Sequence, residues 1–295
     1  MSNTQKRILS ALFILTLVFS LVAYGEWGFF LLVALVSILG LDEVCINLFN
    51  QKRFSSLYII AQLMILSLVF CNMLLGKEFN LLFVLLSGFL VIFPAMAFLF
   101  FADISKLQNK ARTAIWNIVA AVVFLPIISI IYLLKFQNWE YLLLILIAVT
   151  ALMDSGAWLV GTMIGKNKLC PTISPNKTIE GFIGGIVISS LGSTALWCYF
   201  LNNDGWILAV IVFGLLAIIS QCGDLFQSKL KRMVNIKDSS SLIPGHGGVY
   251  DRLDSLVFAT PIFVIFVHFF KLEDDRYVAA RYYFYYFPMP INFFP

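Results

Sequence analysis

Charge is what this sequence has least of. Only 12% of its 295 residues are Asp, Glu, Lys or Arg, against about a quarter in an ordinary soluble domain. Apolar residues make up 61%, and the mean hydropathy is +0.93. That shortage excludes a water-soluble fold of this length and leaves the polytopic membrane class. Cysteine is sparse too: Cys45, Cys71, Cys170, Cys198 and Cys222 are scattered, odd in number and without CxxC spacing. A disulfide framework and a thiolate metal site are therefore not expected. There is no GxxxxGK[ST] loop, so a bound nucleotide would need another device. Internal repeats and low-complexity tracts are also missing. The first apolar run follows Lys6 and Arg7 but lacks a clear small-residue cleavage site, so it reads as a retained helix.

Apolar runs near the roughly 20 residues needed to cross a bilayer fall at 8–24, 27–44, 57–75, 80–101, 113–134, 141–164, 182–201, 206–223 and 255–270. The expected fold is all-α: a polytopic integral membrane protein of about nine transmembrane helices. Residues 1–140 would form the N-terminal spans, 141–271 a catalytic region and 272–295 an aromatic-rich tail at the interface. With the N-terminus cytosolic, only Lys77, Lys135, Lys271, Arg276 and Arg281 of the 20 Lys and Arg residues fall on the opposite side. Such a bias follows the positive-inside rule. The net charge of +4 is mainly a topological signal and no indication of nucleic-acid binding.

Two polar loops, both assigned to the cytosolic side, interrupt this apolar chain. The first, "MDSGAWLVGTMIGKNKLCPTISPNKTIEGFIGG" (153–185), begins inside the sixth run. Asp154 lies well within that run, where an ionised carboxylate is costly unless paired or hydrated. Gly161 and Gly165 have the spacing for close helix packing. Ser174, Lys177, Thr178 and Glu180 then precede the seventh helix, whose N-terminus Thr178 would cap and whose free amides suit a phosphate.

The second loop is "SQCGDLFQSKLKRMVNIKDSSSLIPGHGGVYDRLDS" (220–255). If the eighth helix continues into it, Ser220, Asp224, Ser228 and Lys231 share one face. Beyond Pro244, the Gly245-His246-Gly247-Gly248 turn lets backbone amides approach a ligand. Asp251 and Asp254 open the ninth helix, where acids also complement the helix dipole. Cations for phosphates, carboxylates for a hard divalent metal and glycines for close approach are the components of a phosphoryl- or nucleotidyl-transfer site. His246 suits a metal ligand, an acid or base, a phosphate hydrogen bond or a loop brace.

At these residues the chain resembles the phosphatidate cytidylyltransferase (CDP-diacylglycerol synthase) family. The family signature is matched by Ser228, Lys231, Arg232, Lys237, Asp238, Ser240, Pro244, His246, Gly247, Gly248, Asp251, Arg252 and Asp254. The upstream "ISPNKTIEG" resembles a second family stretch, with Trp158 where Tyr or Phe is expected. The resemblance covers the chain from about Asp154 to the ninth run; the first half is similar only in hydropathy and layout.

It implies an enzyme, a nucleotidyltransferase that joins CTP to phosphatidate to give CDP-diacylglycerol and pyrophosphate, with Mg²⁺ and a second cation such as K⁺. Asp224 and Asp251 would be the leading metal ligands, supported by Asp254. Lys231, Arg232, Lys237 and Arg252 would serve phosphates, while Ser174 and Lys177 close the site from the other loop. Ser228, Gly247 and Gly248 complete the expected substrate contacts, and His246 joins the expected catalytic set. The expected partners are CTP, phosphatidate and the bilayer, with a homodimer allowed and nucleic acid not expected. The expected location is a bacterial inner membrane. Two rivals share parts of the pattern, a CTP-dependent lipid kinase and a transporter in which Asp154 marks the path.

Overall fold

The computed structural model describes the backbone of residues 3–48, 51–74, 77–101, 127–201, 205–245 and 247–286. Among these residues the helices are α1 (Asn3–Ala23), α2 (Glu26–Glu43), α3 (Ser56–Leu74), α4 (Lys77–Ser87), α5 (Phe93–Phe101), α6 (Trp139–Ile164), α7 (Ile179–Leu201), α8 (Trp206–Met233) and α9 (Asp254–Tyr286). A π-helical turn, Val44–Leu48, extends α2, and another, Gly88–Ile92, joins α4 to α5. Among the described residues four helices are long and apolar enough to cross a membrane: α2 with its extension, α6, α7 and α8. Shorter apolar stretches lie in α1, α3 and α9.

The predicted runs and the helices coincide except in three places. Most of the 113–134 run lies outside the described residues; its end is a 3₁₀ helix, Ser129–Lys135. Helix α8 continues ten residues past 223 to Met233, because its exposed apolar stripe gives way to polar and basic side chains without a helix breaker. The backbone of α9 runs to Tyr286, so the first half of the expected tail is helical.

The all-α expectation also needs correction. Lys168–Cys170 (β1) and Ser174–Thr178 (β2) form a two-stranded antiparallel hairpin between α6 and α7. Pro171 and Pro175 cannot continue a helix, and the short polar strands carry little of the alternation by which a strand is recognised.

Helix α9 forms the axis of the core. Val257, Phe258, Phe263, Val264 and Val267 are fully buried, as are Leu142 and Ile145 of α6 and Phe213 and Leu216 of α8. On the outer faces Leu191, Ile211 and Leu215 remain more than half exposed, as expected of side chains that meet lipid instead of water. Helices α6 and α7 approach through small residues. A Cβ on Gly161 would stand 3.6 Å from the Gly181 Cα, and one on Gly185 would stand 2.7 Å from the Met153 carbonyl oxygen. This close crossing sets the hairpin at one end of the helix pair, next to the end of α8.

Candidate active site

The polar extension of α8 supplies the first part of the site. Asp224 forms an ion pair with Lys177 of β2. Gln221 Nε2 also donates to Asp224, at 3.3 Å, and Ser228 Oγ donates at 3.5 Å, one turn to either side. Asp224 and Ser228 therefore share a face of α8, as expected from their spacing, and Ser220 is fully buried. Lys177 reaches α8 because the hairpin is anchored twice. Thr178 Oγ1 accepts from the Gly181 amide at 3.2 Å, the expected N-cap of α7. Glu180 accepts from the Lys166 and Asn167 amides and from the Asn167 side chain, tying the chain as it leaves α6. Burial pulls the Lys177 ammonium below its ordinary value, while the Asp154 and Asp254 carboxylates pull it the other way.

The second part is the loop between α8 and α9. Lys231 donates to Asp251 Oδ1 at 2.8 Å, with side-chain exposures of only 10% and 7%. The other carboxylate oxygen accepts from the Ser239 amide at 2.8 Å, the Ser239 hydroxyl at 3.0 Å and the Gly248 amide at 2.9 Å. Burial raises the Asp251 carboxyl, but Lys231 and these amides outweigh it and hold it below its ordinary value. The paired glycines have a steric reason. Gly247 adopts φ +85°, which favours glycine, and a Cβ there would stand 2.7 Å from Asp251 Oδ2. A Cβ on Gly248 would fall on Ser239 Oγ and on Glu43 Oε2.

Glu43 is the residue that sequence reasoning missed. It ends α2, is 3% exposed, and accepts from Ser239 Oγ at 2.8 Å, Ser240 Oγ at 2.6 Å, the Val249 amide at 2.9 Å and the Tyr250 amide at 2.9 Å. The signal was available in "LDEVC": acidic residues closing an apolar run carry the same cost that drew attention to Asp154. Gln221, an amide in an apolar helix, was overlooked in the same way.

Between α6, the hairpin, α7 and α8 lies a cavity of ≈ 510 Å³. Asp154, Lys177, Ser174, Asn176 and Gln221 line its polar wall, and Ala157, Trp158 and Phe182 its apolar wall. The other expected residues divide into those near this cavity and those elsewhere. Asp254 begins α9 and accepts from the Ser255 amide at 2.9 Å; it is close enough to Lys177 and Lys231 to act on both electrostatically. Arg232 donates to the Ile173 carbonyl at 3.5 Å and the Ile236 carbonyl at 3.2 Å, linking the hairpin turn to the end of α8. Lys237 and Arg252 are exposed. His246 lies outside the described residues. Lys229, in the same basic run, is buried and donates to the Phe98 and Leu99 carbonyls near the end of α5.

The profile of the cytidylyltransferase family matches residues 5–270. The chain belongs to this family. Among its relatives, a phosphatidate cytidylyltransferase of Staphylococcus aureus (strain COL) is 49% identical over 113 residues, 38% of this chain and 43% of that protein. One of Staphylococcus saprophyticus is 39% identical over 133 residues, 45% of this chain and 50% of that protein. These matches span half or less of the relatives' own length. An Escherichia coli protein named "Uncharacterized protein YnbB" is 32% identical over 257 residues, 85% of this chain and 83% of that protein.

The donor chemistry of this cytidylyltransferase-family site fits a hard divalent cation. Asp224 and Asp251 offer carboxylate oxygens, with Asp254 close by. Among the described residues no group of three or more His, Cys, Asp or Glu side chains is gathered tightly enough to hold a metal alone. Mg²⁺ is commonly bound by one or two carboxylates, completed by water and substrate phosphate oxygens. Asp224 and Asp251 are two carboxylates of the kind such a site uses.

Proposed function

We propose that this protein transfers the cytidylyl group of CTP to phosphatidate, releasing pyrophosphate and leaving CDP-diacylglycerol in the membrane. The observation that carries this reading is the mixed wall of the cavity: Ala157, Trp158 and Phe182 on one side, Lys177 and Asp154 on the other. Trp158 is 70% exposed on a helix long enough to span the bilayer. An acyl-glycerol phosphate would keep its tails in lipid there and bring its phosphate to the ammonium groups. Its phosphate oxygen attacks the α-phosphorus of CTP. That oxygen is already anionic, so the reaction needs positioning and charge neutralisation more than a strong base.

Lys177 exchanges its carboxylate partner for phosphate oxygens, with Lys231, Arg232, Lys237, Arg252 and Ser174 as further phosphate contacts. Asp224, freed from Lys177, would hold Mg²⁺ together with Asp251, which keeps Lys231, and with Asp254 in support. The cation would offset charge on the departing pyrophosphate. Ser228, Gly247, Gly248 and His246 complete the proposed substrate and catalytic set, and a K⁺ ion is a proposed second cation.

The reading extends to about nine spans in a bacterial inner membrane, with the site cytosolic, where CTP is found. A cysteine at Ser241, an exposed loop position, should react with impermeant maleimide only from the cytosolic side. Ser239 beside it would not serve, because it is 1% exposed.

The decisive experiment incubates purified protein with α-labelled CTP and phosphatidate. Label in the lipid fraction is expected. Label released as free CDP would replace this reading with the CTP-dependent lipid kinase, and neither product would leave the transporter.

A further inference from the structure

The N-terminal helical hairpin reaches into the signature loop at a point that the proposed chemistry does not use. Besides Glu43, Ser10 of α1 donates to the Pro244 carbonyl at 2.9 Å. A carboxylate that is 3% exposed at a helix end normally requires a cation. The four groups that donate to Glu43 are instead all neutral, and they come from two separate arms of one loop, 196 to 207 residues away in the chain. Four donors fill the accepting capacity of a carboxylate.

The two arms have a further property. Asp251 is held by the backbone amides of Ser239 and Gly248. Glu43 holds the Ser239 hydroxyl on one side and the Val249 amide, the neighbour of Gly248, on the other. It therefore fixes both halves of the amide pocket around Asp251 without touching Asp251 itself. Ser239 has a single O–H. When that proton goes to Glu43, its amide still points at Asp251. The α-helical winding of α2 changes to π at Val44, the residue after Glu43; such π turns commonly mark places where a helix re-aims a functional side chain.

We propose that Glu43 is a positioning residue: it clamps the two arms of the signature loop so that Asp251 is presented to the divalent cation and the nucleotide. The proposal rests on the cytidylyl-transfer reading for its kinetic effect but not for its structural one. Partners that orient a metal ligand are typically worth about 10–100-fold in metal affinity or activity. Glu43→Gln preserves size but turns an NH₂ group toward two of the four donors.

The test compares wild-type protein with Glu43→Gln in detergent. It reads Mg²⁺ dependence of turnover, Mn²⁺ binding in the presence of CTP by electron paramagnetic resonance, and amide hydrogen exchange. The Mg²⁺ midpoint and the Mn²⁺ dissociation constant should both rise about tenfold or more. KM for phosphatidate should stay within about twofold, since the cavity wall is untouched. Exchange should quicken at Val249 and Tyr250 and remain unchanged in α6 and α7.

Unaltered Mg²⁺ and Mn²⁺ titrations, or an equal loss of affinity for phosphatidate, would overturn the proposal. If Glu43→Gln does not insert, Ser240→Ala removes one donor and should shift both titrations in the same direction by about threefold; no shift would likewise overturn it. A wild-type protein that forms no labelled lipid refutes the reaction instead. The exchange and Mn²⁺ measurements then still decide the clamp.

Discussion

The site contains the same pair of side chains twice, in two different surroundings. Lys177–Asp224 lies beside a cavity, with side-chain exposures of 26% and 17%, and among the described residues its carboxylate is otherwise approached by the Gln221 amide and the Ser228 hydroxyl. Lys231–Asp251 is nearly sealed, and the Ser239 and Gly248 amides fix one of its carboxylate oxygens. Two ion pairs of equal formal charge are therefore not equivalent. The first can exchange partners when a phosphate enters, because water and pocket space are available to its lysine. The second is part of the architecture, since breaking it leaves a charge in a place without solvent.

Replacing each acid by its amide tests this difference most strongly. Asp224→Asn and Asp251→Asn should both abolish most turnover with α-labelled CTP, and the double variant should be little worse than either, because the two act as a unit. Stability should separate them. Asp251→Asn leaves Lys231 buried without its partner, a loss of about 3–5 kcal/mol, while Asp224→Asn leaves Lys177 beside an open cavity. A thermal melt in detergent should fall markedly for the first and little for the second. Equal melts would remove the contrast between a mobile and a fixed pair.

A smaller effect is expected from glycine. Gly248→Ala places a methyl on Ser239 Oγ and Glu43 Oε2. Overpacking of this kind costs about 1–3 kcal/mol, and a shift of the Asp251 amide pocket should lower turnover about tenfold. Gly214→Ala on α8 is the control, since its new Cβ would meet Ser190 at 3.7 Å and Ile186 at 3.9 Å, ordinary contacts. Normal kinetics in Gly248→Ala would show that the loop adapts and that the fixed pair is less fixed than its geometry.

The smallest effect is one of pH. The Asp251 carboxyl is held below its ordinary value of 3.8, chiefly by Lys231 once burial is overcome. A depressed folded value means that its contribution to stability is complete above 3.8 and is lost as pH falls through the lower, folded value. The melting temperature of wild-type protein should therefore drop in that acid window by more than that of Asp251→Asn. Parallel acid profiles would show that the carboxyl gains nothing from its pocket.

Much of the frame was legible before any coordinates. The apolar runs at 141–164, 182–201 and 206–223 lie over α6, α7 and α8 because twenty consecutive apolar residues have few other options. Thr178 could be assigned as a cap, and the common face of Asp224 and Ser228 could be assigned from helical spacing alone. The hairpin was less legible: its strands are three and five residues long, with Pro171 just after the first and Pro175 inside the second, so neither period is sustained. Residues 113–126 and His246 lie outside the described residues.

Composition and periodicity determined that this chain is a helical membrane protein whose polar chemistry gathers in two loops, because burial in lipid and helical repeat are local properties that each residue reports separately. Which lysine meets which carboxylate was decided only by the tertiary structure. Lys177 and Asp224 are 47 residues apart, and Glu43 reaches Tyr250 across 207. Such partnerships depend on how α6 and α7 cross at their glycines and on where α2 ends against the loop. A buried acid shows in the sequence that it needs partners; only packing in three dimensions determines who they are.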